Sequence, residues 1–196
     1  MRTSRLEAFS DGVLAIIITI MVLELRVPEG TALSDLGDSA TSFLTYVLSF
    51  VYLGIYWNNH HHMFQLVRRI DGLVLWANLH LLFWLSLYPF TTRWMDETDL
   101  ARTPLVVYGV NLLAAAVAYY LLQLAIFRAE GADGLLRQAV GTDLKGKLSP
   151  LLYLTGIASA FVSTWLAVAF FVLVALIWLV PDRRMESFVA EHGLEG

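Results

Sequence analysis

Residues able to do chemistry are few in this chain, and they gather in two places. Arg5, Glu7, Ser10 and Asp11 open an apolar stretch whose one polar residue further in is Thr19. The next apolar stretch ends in Tyr56-Trp57-Asn58-Asn59-His60-His61-His62-Met63. Charges at the mouth of a membrane helix are costly, and they mark either an ion path or a tie that holds a bundle together. On a helix, residues three, four and seven apart share a face. Thr19 therefore lies with Gly12, Ile16, Leu23 and Arg26, flanked by Ala15 and Val22, while Asp11 falls on a second face with Ala15, Ile18 and Val22.

Two readings of the Thr19 face stay open. In one, its hydroxyl bonds a carbonyl one turn back and the face packs against another helix. In the other, the face borders a water-filled axis. Ile16 and Leu23 then form apolar constrictions that gate by dewetting, and the Thr19 hydroxyl between them offers a cation partial coordination. Asp11 needs a partner, because an unpaired carboxylate there protonates or destabilises the fold. Arg5 points elsewhere on the same helix, so that partner comes from another helix or from backbone near the helix start. A packing knot, rather than direct ion contact, is the expected role of Asp11.

Three consecutive histidines point about 100° apart on a helix. They lack the i, i+4 spacing of a two-ligand metal site, and no metal site is expected. Asn58, Asn59 and one inward histidine, His60 or His61, are expected to hydrogen-bond Arg5, Ser10 and Asp11. Histidines in such a place also respond to pH near neutrality. A third apolar stretch carries Trp76, Asn78, His80 and Trp84. Trp76 reads first as an interface anchor and second as a donor to the same knot.

The elements that must position these residues follow from composition. Hydrophobic residues make up 58% of the chain and charged residues 15%, against about a quarter charged in soluble domains. Charge-free runs cover 39–67, 72–92, 103–127 and 148–181. About 20 helical residues cross a bilayer core. The last run is too long for one span and fits a hairpin broken at Ser163-Thr164-Trp165. The expected fold is an all-α integral membrane protein with six transmembrane helices, at 4–26, 41–66, 72–93, 104–127, 148–162 and 165–181, forming one domain over residues 1–196. The polar stretch 128–147 is expected to be a loop with one amphipathic turn around 134–140. Glu7, Asp11 and the lack of a small-residue cleavage pattern argue that the first helix is retained rather than removed as a signal peptide.

Lys and Arg set the orientation. Arg2, Arg5, Arg68, Arg69, Arg128, Arg137, Lys145, Lys147, Arg183 and Arg184 fall on one side of the six-span arrangement, and Arg26, Arg93 and Arg102 on the other. Both termini are expected in the cytoplasm. The chain has no cysteine, so disulfides, thiolate metal sites and cysteine nucleophiles are excluded. It contains no Thr-Val-Gly-Tyr-Gly filter, nucleophile elbow or P-loop. An enzyme is not expected, and any ion selectivity must come from side chains. Basic residues are too few, and too tied to topology, for nucleic-acid binding.

Arg5-x-x-x-Phe9-Ser10-Asp11, followed by Gly12 and an aliphatic helix ending Val22-Leu23-Glu24-Leu25-x-Val27-Pro28, resembles the signature of the transmembrane protein 175 family, potassium channels of endosomes and lysosomes with shorter bacterial members. Tyr56-Trp57-Asn58-Asn59-His60-His61 and Val180-Pro181-Asp182-Arg183-Arg184 resemble it as well. The resemblance implies that one six-helix unit per chain assembles as a homotetramer in a bacterial cell membrane, with the first helix lining a central pore. It also implies an aliphatic gate ring at Ile16, followed along the same face by Thr19 and Leu23. Bacterial members often carry Leu where this chain has Ile16, a swap that keeps an apolar ring and alters its shape.

The expected function is a potassium-preferring cation channel that needs no cofactor beyond its permeant potassium ions. Its partners are further copies of itself, the lipid bilayer and monovalent cations. The alternative is a proton-coupled or other secondary cation transporter that uses Asp11 and the histidines of the second helix. A transporter more naturally shows inverted repeats and broken helices near the midplane, and neither pattern is visible in the sequence.

Overall fold

The computed structural model describes residues 3–28, 30–140 and 144–179, and the regular elements among them are all helical. Helix α1 (Thr3–Leu23) leads through a short 3₁₀ turn (Leu33–Ser39) to α2 (Ala40–Gln65). Then come α3 (Gly72–Ser86), α4 (Tyr88–Glu97) and α5 (Arg102–Glu130). A short α6 (Leu135–Val140) precedes the pair α7 (Leu144–Ser159) and α8 (Thr164–Leu179). Arg2 and the Val180-to-Arg184 motif lie outside the described residues. Among the described residues, four stretches are long and apolar enough to cross a membrane: α1, α2, the joined α3 and α4 (Gly72–Glu97), and α5. Helix α8 is apolar but shorter.

Local chemistry sets the ends. The Asp71 carboxylate accepts the Val74 N–H at 2.9 Å and so caps the start of α3, relieving one of the orphan donors of a helix N-terminus. The single helix expected over 72–93 is in fact two, α3 and α4, and the second runs on to Glu97. Pro89 in the first turn of α4 is the reason. It has no N–H, and its ring crowds the carbonyl one turn back. The ladder resumes when the Thr91 N–H reaches the Leu87 carbonyl at 3.0 Å. Gly131, at φ 81°, ends α5 in a conformation that suits a residue without Cβ.

Helix α5 is the central pillar and packs against α3, α4, α7 and α8. Its residues Leu105, Tyr108, Leu112, Ala115, Ala118, Leu122 and Ile126 are fully buried. Helix α2 contacts α1, α4 and α8. Several polar side chains between these helices find partners inside the protein, as a dry environment favours. Ser49 shares hydrogen bonds with Thr92 at 2.7 Å and with Tyr108 at 3.0 Å, and the Tyr52 hydroxyl donates to the Phe171 carbonyl at 2.6 Å. Sequence reasoning missed this interior polar set. Its signal was present: Ser42, Thr45, Ser49, Tyr52, Tyr56 and His60 recur every three or four residues on α2, and all are buried.

Two glycines let α5, α7 and α8 approach closely. A Cβ on Gly109 would sit 2.6 Å from Phe171 and 2.8 Å from Ile157; one on Gly156 would sit 2.7 Å from the same Phe171 ring. Gly109→Ala and Gly156→Ala are each expected to destabilise by about 1–3 kcal/mol through overpacking. Because both press on one ring, the double variant should depart from additivity. Thermal unfolding of the purified protein in detergent checks this; unchanged midpoints would refute it.

Candidate pore face and its anchors

Helix α1 is covered on one side only. Leu6, Ser10, Leu14, Ile17 and Met21 recur every three or four residues and are buried against α2, α3 and α4. The opposite side stays open: Ile16 is 60% exposed and Leu23 82%, with Phe9, Thr19 and Ile20 beside them. Only 28% of the apolar window of α1 is buried within the chain, against 44% for α5. The open side also carries Arg5, Asp11 and Thr19, residues that a lipid-facing helix avoids. Thr19 donates its hydroxyl proton to the Ile16 carbonyl at 2.9 Å. This is the back-bond of the first reading, and it leaves the oxygen lone pairs of an exposed side chain free to accept from outside the helix.

On the buried side a relay joins three helices. The Ser10 hydroxyl donates to the Leu6 carbonyl at 2.9 Å and accepts from the Asn78 amide at 3.0 Å. The Asn78 oxygen pairs with His60 Nε2 at 2.8 Å. With the amide oriented this way its oxygen can only accept, so His60 carries its proton on Nε2. Ser10, Asn78 and His60 are 0%, 0% and 3% exposed, which makes every link indispensable to the others. Asp11 is held separately, accepting from Trp57 Nε1 at 3.1 Å.

The structure therefore brings together only part of the expected knot. Ser10 meets His60, but through Asn78, whose role sequence reasoning did not assign. Asp11 meets Trp57 and none of the expected amide or histidine partners. Asn59 donates to the Ile55 carbonyl of its own helix at 2.8 Å, and its backbone carbonyl accepts the Tyr119 hydroxyl. Asn58 is half-buried and takes no hydrogen bond from the described residues. Arg5 and Phe9 are exposed, and Arg5 makes no ion pair with any described residue. Their side lies away from the relay, because both follow the open face of α1. Trp76 is 74% exposed at the start of α3.

The three histidines go three ways. His60 is buried with its ring 4.5 Å from Phe64. His61 stacks on Trp57, lies 4.0 Å from Glu7 and pairs with the Gln65 amide at 3.1 Å. His62 faces the Gln65 oxygen at 3.4 Å.

The far end of α1 is tied as well. Arg26 Nε lies 3.4 Å from the Asp96 carboxylate, while Arg93 pairs with both Glu24 and Glu97. Asp96 is 5% exposed, so the Arg26 contact is the partly desolvated one and the Arg93 pairs are surface contacts of smaller worth.

The chain is similar to several known proteins. Residues 5–89, which hold α1, α2 and the relay, match the family described as the endosomal/lysosomal potassium channel TMEM175. A potassium channel of Chryseobacterium sp. (strain P1-3) is 51% identical over 192 residues, covering 98% of this chain and 100% of that protein. The chain belongs to the TMEM175 family of potassium channels. Another TMEM175 relative, a potassium channel of Chamaesiphon minutus, is 35% identical over 85% of this chain and 88% of its own length. A crystal structure of a lysosomal potassium-selective channel TMEM175 homolog from the same organism superposes with a TM-score of 0.74 at 33% identity, covering 93% of this chain and 97% of that one. The TMEM175 proton channel of Bos taurus matches a shorter part, 39% identical over 77 residues, which is 16% of its length.

Proposed function

We propose that this chain forms a potassium-preferring cation channel, a homotetramer in a bacterial cell membrane with α1 around the axis and Ile16, Thr19 and Leu23 facing the permeant ions. The observation that carries this reading is the open face of α1. It is too apolar for bulk water and too polar for lipid, and further copies of the chain around a narrow aqueous path satisfy both requirements. In this arrangement Ile16 and Leu23 form apolar rings, and the outward lone pairs of Thr19 lie between them. Side chains thus take the place of a backbone-carbonyl filter. Helices α7 and α8 serve as the fifth and sixth spans, with both termini in the cytoplasm, and the Ser10–Asn78–His60 relay fixes the rotation of α1.

The chain has no cysteine, which makes accessibility a clean test. Ile16→Cys, Thr19→Cys and Leu23→Cys should each let a water-soluble thiol reagent block cation flux into proteoliposomes. Ile17→Cys, at a site 4% exposed, should not. Val22 is a poorer control, since it is 46% exposed on the flank of the same face. Block at 17 alone, or equal labelling at all four, would place the path elsewhere. Chemical cross-linking in membranes should reach four subunits and stop.

Thr19→Val keeps the side-chain shape and removes the hydroxyl. Its expected effect is a fall of a few-fold in the potassium-to-sodium permeability ratio with assembly intact. Reversal potentials under bi-ionic conditions measure this, and an unchanged ratio would take Thr19 out of ion discrimination.

A further inference from the structure

Away from α1, one cavity lies within the subunit between α2, α5, α7 and α8. Among described residues its walls are Tyr52, Ile55, Tyr56 and Asn59 of α2 facing Ala116, Tyr119, Tyr120 and Gln123 of α5. Both sets run i, i+3, i+4, i+7, so each is one stripe of its helix, and the two stripes face each other. Tyr153 of α7 and Trp178 of α8 help close it. The space is about 570 Å³ counting its open mouth.

Several of the polar atoms around it are already paired. Trp178 Nε1 donates to Ser149 Oγ at 2.7 Å, Ser149 Oγ donates to the Lys145 carbonyl at 2.8 Å, and the Asn59 amide is committed to Ile55. Gln123 is 6% exposed, and its amide makes no hydrogen bond with a described residue. The Gln123 amide offers two donors and an acceptor to a molecule in the cavity. A largely aromatic concave site with a few polar groups, here the Gln123 amide and the Tyr56 hydroxyl, is the form that small-molecule sites take. No described lining residue is charged, so an ion entering here would lose its hydration without a counter-charge.

We propose that this cavity is a binding site for small uncharged aromatic molecules, one per subunit, whose amide or hydroxyl group pairs with the Gln123 side chain while its ring lies among Tyr52, Tyr56, Tyr153 and Trp178. No residue of α1 lines it, so the site is separate from the path for ions and does not depend on that reading.

The probe for the test is 4′-fluoroacetanilide, followed by ligand-observed fluorine NMR with the protein in nanodiscs. Saturable binding is expected. Ala116→Phe should abolish it by filling the space, while the protein keeps its thermal stability. Gln123→Leu, close in shape, should weaken binding about tenfold, the worth of the lost pairing. The anion 4-fluorophenylacetate should not bind. Absence of saturable binding to the native protein, or equal binding to Ala116→Phe, would overturn the site. Binding unaffected by Gln123→Leu, or shared by the anion, would overturn the assigned ligand class.

Discussion

Ile16→Asn is expected to raise cation flux through proteoliposomes about thirtyfold while leaving the protein folded. The Ile16 side chain is 60% exposed within its own chain, so little packing is lost on replacement. At a narrow apolar ring the barrier is the absence of water, and an amide there is wettable. A barrier lower by about 2 kcal/mol corresponds to about thirtyfold in rate. The same change one residue on has the opposite outcome. Ile17 is 4% exposed, and Ile17→Asn buries an unpaired amide among Leu14, Met21 and their neighbours, costing about 1–3 kcal/mol. Ile16→Asn should therefore leak and stay folded, while Ile17→Asn should unfold early and gain no flux. Flux unaltered in Ile16→Asn, or the two variants behaving alike, would remove the constriction from this face.

Asn78→Leu is expected to be the most damaging single change to stability in the α1 region. It removes the link between Ser10 and His60: His60 Nε2 is left without a partner in a dry interior, and Ser10 keeps only its bond to the Leu6 carbonyl. The stranded imidazole nitrogen at about 1–3 kcal/mol and the lost bond to Ser10 at about 1 kcal/mol give a loss of about 2–4 kcal/mol. Asp11→Asn should cost far less, because an amide oxygen can still accept from Trp57 Nε1. Arg5→Ala, on the open side, should stay within about 0.5 kcal/mol for the isolated subunit. Thermal unfolding in detergent orders the three. If Arg5→Ala or Asp11→Asn proves worse than Asn78→Leu, the relay is not what anchors α1. The ranking differs from what the sequence motif suggests, since Arg5 and Asp11 are its most conspicuous members.

Much of the helical layout was legible, because a bilayer-length helix needs a long run without charge and such runs are easy to see. The break at Leu87 was less so. Pro89 stood in plain sight, but in an apolar run a proline in the first turn of a new helix looks like one tolerated inside an old one. That Ile16, Thr19 and Leu23 share a side of α1 follows from helical geometry alone. Which side the chain covers is harder to read, because both sides are aliphatic and hydrophobicity does not separate them. The partners of Ser10 and Asp11 could not be read at all. Asn78 and Trp57 lie 68 and 46 residues away from them, and among several polar residues at helix ends only the tertiary arrangement chooses. The cavity was hidden for a related reason: its two stripes look like ordinary aromatic packing until the space between them is seen.

The ties at the two ends of α1 have a mechanical consequence. Near one end Ser10 is locked to α3 through Asn78; near the other, Glu24 and Arg26 reach Arg93 and Asp96 of α4. Sliding α1 along its axis by a turn would break both ends at once. Rolling it would lift Leu14, Ile17 and Met21 out of the core together. The helix behaves as a beam clamped at both ends, with its centre carrying β-branched Ile16, whose side chain has essentially one favoured χ1 on a helix. If α1 lines the path for ions as proposed, a change in its bore is expected to come from whole subunits tilting as rigid bodies, with α2, α3 and α4 travelling along with the beam.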